Sequence, residues 1–414
     1  MGLRSKYILP IIIALGLSLP QGLTSMFLPS VRVSSIYDGV NVQLAVLSFQ
    51  AILISLYVLI SIDKIVISWS QAILIIFLFY FGLAGALFSL SPGGYISYSL
   101  LWCIFPLAVR LHIQSFKYKY TSVEFINDIY FIGVIFFPFY LIDIALSIFY
   151  IGPENFASFM LASNGHSFIS FLFSLIFLIK FLMMPGGNNY QKGKFLFFSF
   201  VYFGGGVLSA GRVAFASFVL CLLIASPAKV IKFAILIFPL LLITLGSVEK
   251  YNLFFNIILD DGFDDFRIWS SGISRLNFWS SHIEIFFDNV LAGAGGLATN
   301  VVKYYYDFQY DVFVDPHNEL IFILSGFGVF GLAFIVASIA LVSSFARVKR
   351  SFGPANLTSC FNSYLILLYI FICSLSNANS AKQNIQLIYV FLILMAFYTI
   401  VSSVKSKFGK CGAL

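Results

Sequence analysis

Apolar runs of about 20 residues recur along the whole chain, and nothing else in the sequence constrains the fold as tightly. A run of that length crosses the hydrocarbon core of a bilayer as a helix, because a helix satisfies its own backbone groups where no water can. Twelve spans are expected, over residues 7–28, 42–60, 65–88, 95–113, 129–150, 166–183, 195–210, 213–227, 230–247, 317–344, 361–377 and 384–403. The fourth holds Pro106 and Arg110, and the seventh and eighth are short and almost contiguous. Charged residues are only 10% of the 414, where a soluble domain of that size would carry roughly a quarter. The fold class expected is all-α, a polytopic membrane protein. The first apolar run is followed by further spans, and "SLPQGLTSM" is a poor small-residue cleavage site, so this run is read as a span and not as a cleaved leader.

The distribution of positive charge gives the orientation. With the N-terminus placed in the cytoplasm, 17 of the 24 lysines and arginines fall on inner loops and 7 on outer ones, as the positive-inside bias requires. Both termini then lie in the cytoplasm. The net charge of +7 is accounted for by topology and needs no nucleic-acid partner. None of the five cysteines (Cys103, Cys221, Cys360, Cys373, Cys411) lies in the long outer loop, which argues against a disulfide framework or a zinc site there.

That loop divides the chain into three regions: a bundle of about nine spans over residues 1–247, an outer loop over 248–316, and about three spans over 317–414. The loop holds ten of the 17 acidic residues, together with Trp269, Trp279, Arg267 and Arg275. Loops of this length are functional or disordered, and its aromatic content argues against disorder. "FRIWSSGISRLNFWSSHIEIFFDN" reads as one or two amphipathic helices at the membrane surface, with Ile273, Leu276, Ile283 and Phe287 at helical spacings. Arg267 and Arg275 are eight apart, within about 80° of one another on a continuous helix, although Gly272 interrupts it. "LAGAGG" then supplies Gly293, Gly295 and Gly296 for a tight turn or a close approach.

Four pieces with chemical potential fall on the outer side: Arg212 in "GGGVLSAGRVAFASF", Arg267, Arg275, and His317 in "DPHNEL". Arg212 lies on the side that the charge bias disfavours, between apolar glycine-rich segments; a snorkelling boundary arginine is its plain alternative. For Arg267 the alternative is an ion pair with Asp264 or Asp265. Three arginines around one cavity suit a diphosphate, since guanidinium forks match phosphate oxygens at any relevant pH. Asp315 and Pro316 read as an N-cap and first helical position. That places His317 in the first turn, where the helix dipole favours a neutral imidazole able to accept a hydroxyl proton. The alternative is a boundary histidine bonded to a backbone carbonyl. Asn318 and Glu319 are available to an acceptor or to local bonds. His282 is expected to face water, His166 to cap or pack at the start of the sixth span, and His112 to lie on the inner side. "DDGFDD" reads as a solvated acidic loop before it reads as a cation site. No metal motif is present.

The order Arg212, then Arg275 followed by "W…DN…GAGG", then "PHNEL" with "GFGVFGL", resembles the O-antigen ligase and polymerase superfamily of bacterial envelopes. The motifs span residues 204–345, and the first 190 residues carry none. Where many members have serine or threonine directly before the arginine, this chain has glycine, in "SAGR". The resemblance implies a GT-C-like, metal-independent glycosyltransferase with no cofactor, acting on the periplasmic face. Its donor would be an oligosaccharide on undecaprenyl diphosphate and its acceptor a glycan, either lipid-linked or on lipid A core. Membrane lipids and a chain-length regulator are the further partners implied. Carried onto this chain, Arg212 and Arg275 hold the diphosphate and His317 assists the acceptor hydroxyl, with Arg267, Asn318 and Glu319 as binding residues. Polymerase and ligase remain open, with polymerase preferred because the phenylalanine- and isoleucine-rich sequence suits a diversifying polysaccharide cluster. A lipid-linked oligosaccharide flippase is the alternative of another class; the long outer loop and the lack of inverted repeats argue against it.

Overall fold

The computed structural model describes residues 6–18, 49–61, 65, 67–89, 92–117, 120–151, 163–182, 188–209, 212–225, 279–295, 318–346, 358–375 and 383–411, and every regular element among them is helical. In chain order the helices are α1 (Ile8–Ser18), α2 (Phe49–Leu59), α3 (Trp69–Phe88), α4 (Pro92–Ser115), α5 (Ser122–Ile151), α6 (Ser163–Leu182), α7 (Asn189–Leu208), α8 (Arg212–Ala225), α9 (279–288), α10 (Glu319–Ser344), α11 (Thr358–Ser374) and α12 (Gln383–Cys411). Eleven of the expected spans carry one of these helices; the ninth, 230–247, lies outside the described residues. The twelfth helix, α9, falls in the stretch read as the outer loop. Among the described residues, five helices are long and apolar enough to cross a membrane: Trp69–Phe88, Ser122–Phe149, Gly165–Leu182, Glu319–Ser344 and Ile385–Val404. The chain is an integral membrane protein.

Helix α6 is the centre of the bundle. It is buried on every side over residues 165–179, so no single stripe is set aside for lipid. It packs along α7 and against α5 and α8. Small residues let α6 and α7 approach closely: Ser174 and Ser199 hydroxyls are 3.0 Å apart, and Ser199 Oγ also donates to the Ser174 carbonyl at 3.1 Å. Helix α3 is the opposite case. Ile73, Ile76, Phe77, Tyr80, Leu83 and Leu87 recur at helical spacing and are all exposed, a face built for hydrocarbon. Its start is fixed by a capping box between Ser68 and Gln71, and Gln71 Nε2 donates on to Ser344 Oγ at 3.1 Å, tying it to the end of α10.

Polar side chains buried in the bundle gather at its two ends. At one, His112 of α4 meets Asp128 of α5 at 2.7 Å, and Tyr120 Oη donates to the same carboxylate at 2.5 Å. Arg110, also buried, lies with its guanidinium 4.6 Å from the centre of the Phe345 ring.

Candidate functional site

Helix α11 gathers the starts of three other helices at one end of the bundle. Near its C-terminus, Cys373 Sγ donates to Ser217 Oγ of α8 at 3.5 Å. Two residues on, the Leu375 carbonyl accepts from Asn318 Nδ2, at the start of α10, at 3.3 Å. One turn earlier, Tyr369 Oη donates to the Phe168 carbonyl in the first turns of α6 at 2.7 Å. Arg212, the first residue of α8, therefore shares an end with Asn318, Glu319 and His166. The structure brings these four positions together. Arg267, Arg275 and His317 lie outside the described residues, as does the Arg212 side chain.

The start of α10 corrects one expectation. The N-cap is Asn318, with extended backbone (φ −149°, ψ 122°), and its side chain accepts from the amides of Leu320 and Ile321 at 3.0 and 3.2 Å. The helix thus begins three residues later than an Asp315 cap would place it, and His317 precedes the cap instead of occupying the first turn. Asn318 is selected because it does two jobs: Oδ1 caps the helix while Nδ2 reaches α11, which the carboxylate of Asp315 could not do. Glu319 is buried in the first turn, where the helix dipole favours an acid.

Helix α10 is not continuous. At Gly328 the backbone turns to φ 62° and ψ −157°, a region open in practice to glycine alone. The break separates the carbonyls of Ser325 and Gly326 from the amides of Val329 and Phe330, four residues on, their partners in an unbroken helix. Residues 290–295 take their place. Ala294 and Gly295 amides donate to the Ser325 and Gly326 carbonyls at 2.8 and 2.6 Å, while Val329 and Phe330 amides donate to the Val290 and Leu291 carbonyls at 2.9 and 3.0 Å. Two lost helical bonds become four bonds to another segment, so no polar backbone group is stranded at membrane depth. The fit requires glycine on both sides. A Cβ on Gly293 (φ 61°) would lie 2.5 Å from the Phe327 nitrogen, and one on Gly328 would lie 2.5 Å from the Leu291 carbonyl oxygen.

The same docking overturns the reading of His282. Helix α9 turns Ser281, His282 and Ile285 inward, and His282 Nδ1 sits 2.8 Å from Ser325 Oγ, just before the break. Ile283, Phe287 and Leu291 are the exposed stripe. The histidine expected to face water is buried because the segment lies against α10 and presents its apolar edge outward.

A second polar group lies one layer deeper at this end, across α5, α6 and α7. His166 Nε2 is 3.8 Å from Asp143 Oδ2, its Nδ1 is 3.4 Å from Ser170 Oγ, and its ring stacks on Tyr140 at 5.0 Å. Ser170 and Tyr140 hydroxyls are 2.7 Å apart, and Tyr140 Oη donates to the Tyr202 carbonyl at 3.2 Å. His166 was expected to cap or pack, and Asp143 was passed over. The available signal was an aspartate amid some twenty apolar residues in the fifth span, since ionisable groups inside a membrane are rare and expensive.

No curated protein matches the chain. Residues 194–336 match the family model described as O-antigen ligase. The matched stretch runs from α7 through Arg212 and the docked 279–295 segment to beyond the break in α10, and so includes part of this end of the bundle. The match over residues 194–336 supports the resemblance of the chain to the O-antigen ligase and polymerase superfamily.

Proposed function

We propose that this protein transfers a glycan from undecaprenyl diphosphate to a sugar hydroxyl on the periplasmic face of the bacterial inner membrane, with both termini cytoplasmic. One observation carries the reading: the start of α8, bearing Arg212, and the start of α10, directly after His317, lie at one end of the bundle beside the docked loop segment. The family match indicates ligase- or polymerase-type activity on lipid-linked oligosaccharide and acceptor glycan. Twelve spans, a GT-C-like bundle, and a periplasmic loop over residues 248–316 between bundles 1–247 and 317–414 complete the architecture we infer.

In this mechanism the acceptor oxygen attacks the anomeric carbon as the bond to the diphosphate oxygen breaks. The diphosphate leaves with the electron pair, and Arg212 and Arg275 neutralise the charge it gains, with Arg267 in support. His317 takes the acceptor proton as the new bond forms. Attack opposite the leaving group inverts the anomeric centre. Asn318, by capping α10 and holding α11, fixes the backbone on which His317 is carried, and Glu319 lies beside it. No metal or cofactor enters the scheme.

The transfer is a polymerisation of O-antigen, capsule or exopolysaccharide repeat units in our reading. The match to an O-antigen ligase family favours a second reading, in which the glycan is ligated onto lipid A core. Purified protein given lipid-linked repeat units distinguishes the two. A polymerase lengthens the glycan with donor alone, whereas a ligase turns over only when lipid A core is added. Glycan that crosses the membrane unchanged in length would instead make the protein a flippase. Arg212→Ala and Arg275→Ala should each nearly abolish turnover at normal membrane levels, with lysine recovering part of it, and Arg267→Ala should be milder. His317→Ala should cost roughly 100-fold with donor binding intact, and wild-type turnover should fall as pH drops through about 6.5, where imidazole protonates and stops accepting protons. A His317→Gln variant close to wild type would remove the base from this scheme.

A further inference from the structure

Burying an aspartate and a histidine together inside a membrane bundle is costly, and an apolar pair of similar volume would pack there at least as stably. Asp143 and His166 are buried all the same, 3.8 Å apart. Their surroundings point away from simple cohesion and toward the turn between α7 and α8. The His166 ring touches three helices: Asp143 on α5, Ser170 on its own α6, and the backbone of Gly205 on α7. Tyr140, stacked on that ring, presses on the same place, since a Cβ on Gly205 would fall 1.9 Å from its hydroxyl. Gly205 in turn lies in the last turn of α7, its carbonyl accepting from the amide of the C-cap Ser209 at 3.1 Å. On the far side of the turn, Phe215 lies one helical turn beyond Arg212, and its ring packs at 5.6 Å on Phe171, the residue after Ser170. Both flanks of the Arg212 turn therefore rest on the layer that His166 organises.

We infer that Asp143 and His166 are positioning residues that set the end of α7 and the first turn of α8, the backbone that carries Arg212, for its work on the donor diphosphate; this rests on the function proposed above. The carboxylate faces the imidazole at 3.8 Å, the imidazole packs on Tyr140 and the Gly205 backbone, and these fix the end of α7. Neither residue touches substrate in this role.

The test is a double-mutant comparison on the full-length protein in detergent or nanodiscs, reading kcat and KM for a lipid-linked donor. His166→Ala and Asp143→Asn should each lower kcat/KM about tenfold in the wild-type background, and by less than about twofold when Arg212→Lys is already present, because residues acting through one group couple. His166→Gln, which keeps a polar group at similar reach, should restore part of the loss. A fold defect would multiply equally in both backgrounds, so equal losses, or no loss in wild type, overturn the positioning role. If His166→Ala does not fold, Tyr140→Phe removes one oxygen and carries the same comparison. Full activity in Arg212→Ala would mean that the diphosphate clamp itself is wrong; an impaired Arg212→Ala with equal losses in both backgrounds condemns only the positioning.

Discussion

Gly204, Gly205 and Gly206 are three identical residues in a row with three different surroundings. A Cβ on Gly204 would meet nothing within 4 Å, one on Gly205 would strike Tyr140 and Ile144, and one on Gly206 would press at 2.9 Å into the Phe171 ring. Gly204→Ala should therefore be neutral or stabilise by up to about 1 kcal/mol through helix propensity. Gly205→Ala should destabilise by about 1–3 kcal/mol through overpacking, read as thermal unfolding in detergent; equal effects at both positions would contradict the described packing. The cap of α10 gives a second contrast. Asn318→Ala should cost about 1 kcal/mol, while Asp315→Ala should leave stability within about 0.5 kcal/mol. Read locally, Asp315 with Pro316 after it is the expected cap, and Asn318 carries no comparable signal. What decides is Leu375, 57 residues away, whose carbonyl takes the other half of the Asn318 amide. His282 was unreadable for the same kind of reason, because its partner is a serine in another helix.

At the scale of elements, helices were legible along eleven of the twelve expected runs because their signal is local: length and hydropathy of each run decide it. The glycines of "LAGAGG" were legible as a turn, and Gly293 and Gly295 do adopt positive φ. That the turn would seat itself in a break within the following span was not, since "GFGVFGL" reads as uninterrupted helix until a second segment supplies the missing hydrogen bonds. The interlock predicts a paired response. Gly328→Ala should raise hydrogen–deuterium exchange not only at residues 325–330 but equally at 290–295, and Gly293→Ala should do the same from the other side, each by about tenfold or more as strain of about 1–3 kcal/mol is introduced. Loosening confined to the mutated segment would show that the two are independent.

For the whole molecule, charge along the sequence predicts which end faces which compartment, and this is open to direct chemistry. Lys303→Cys should react with a membrane-impermeant maleimide in intact cells whose outer membrane has been opened, whereas Lys192→Cys should react only after the inner membrane is breached. The reverse pattern would place the site end in the cytoplasm and end the periplasmic reading. The buried cysteines Cys103, Cys221 and Cys373 should contribute little background.

The break in α10 also governs which pieces of such a protein can be exchanged. Because residues 290–295 complete the backbone of 325–330 atom by atom, the two stretches form one unit of inheritance although some thirty residues separate them. A chimera that imports a foreign loop should assemble when residues 279–295 and 318–331 come from the same parent. Splitting them between parents should fail even where every side chain is similar.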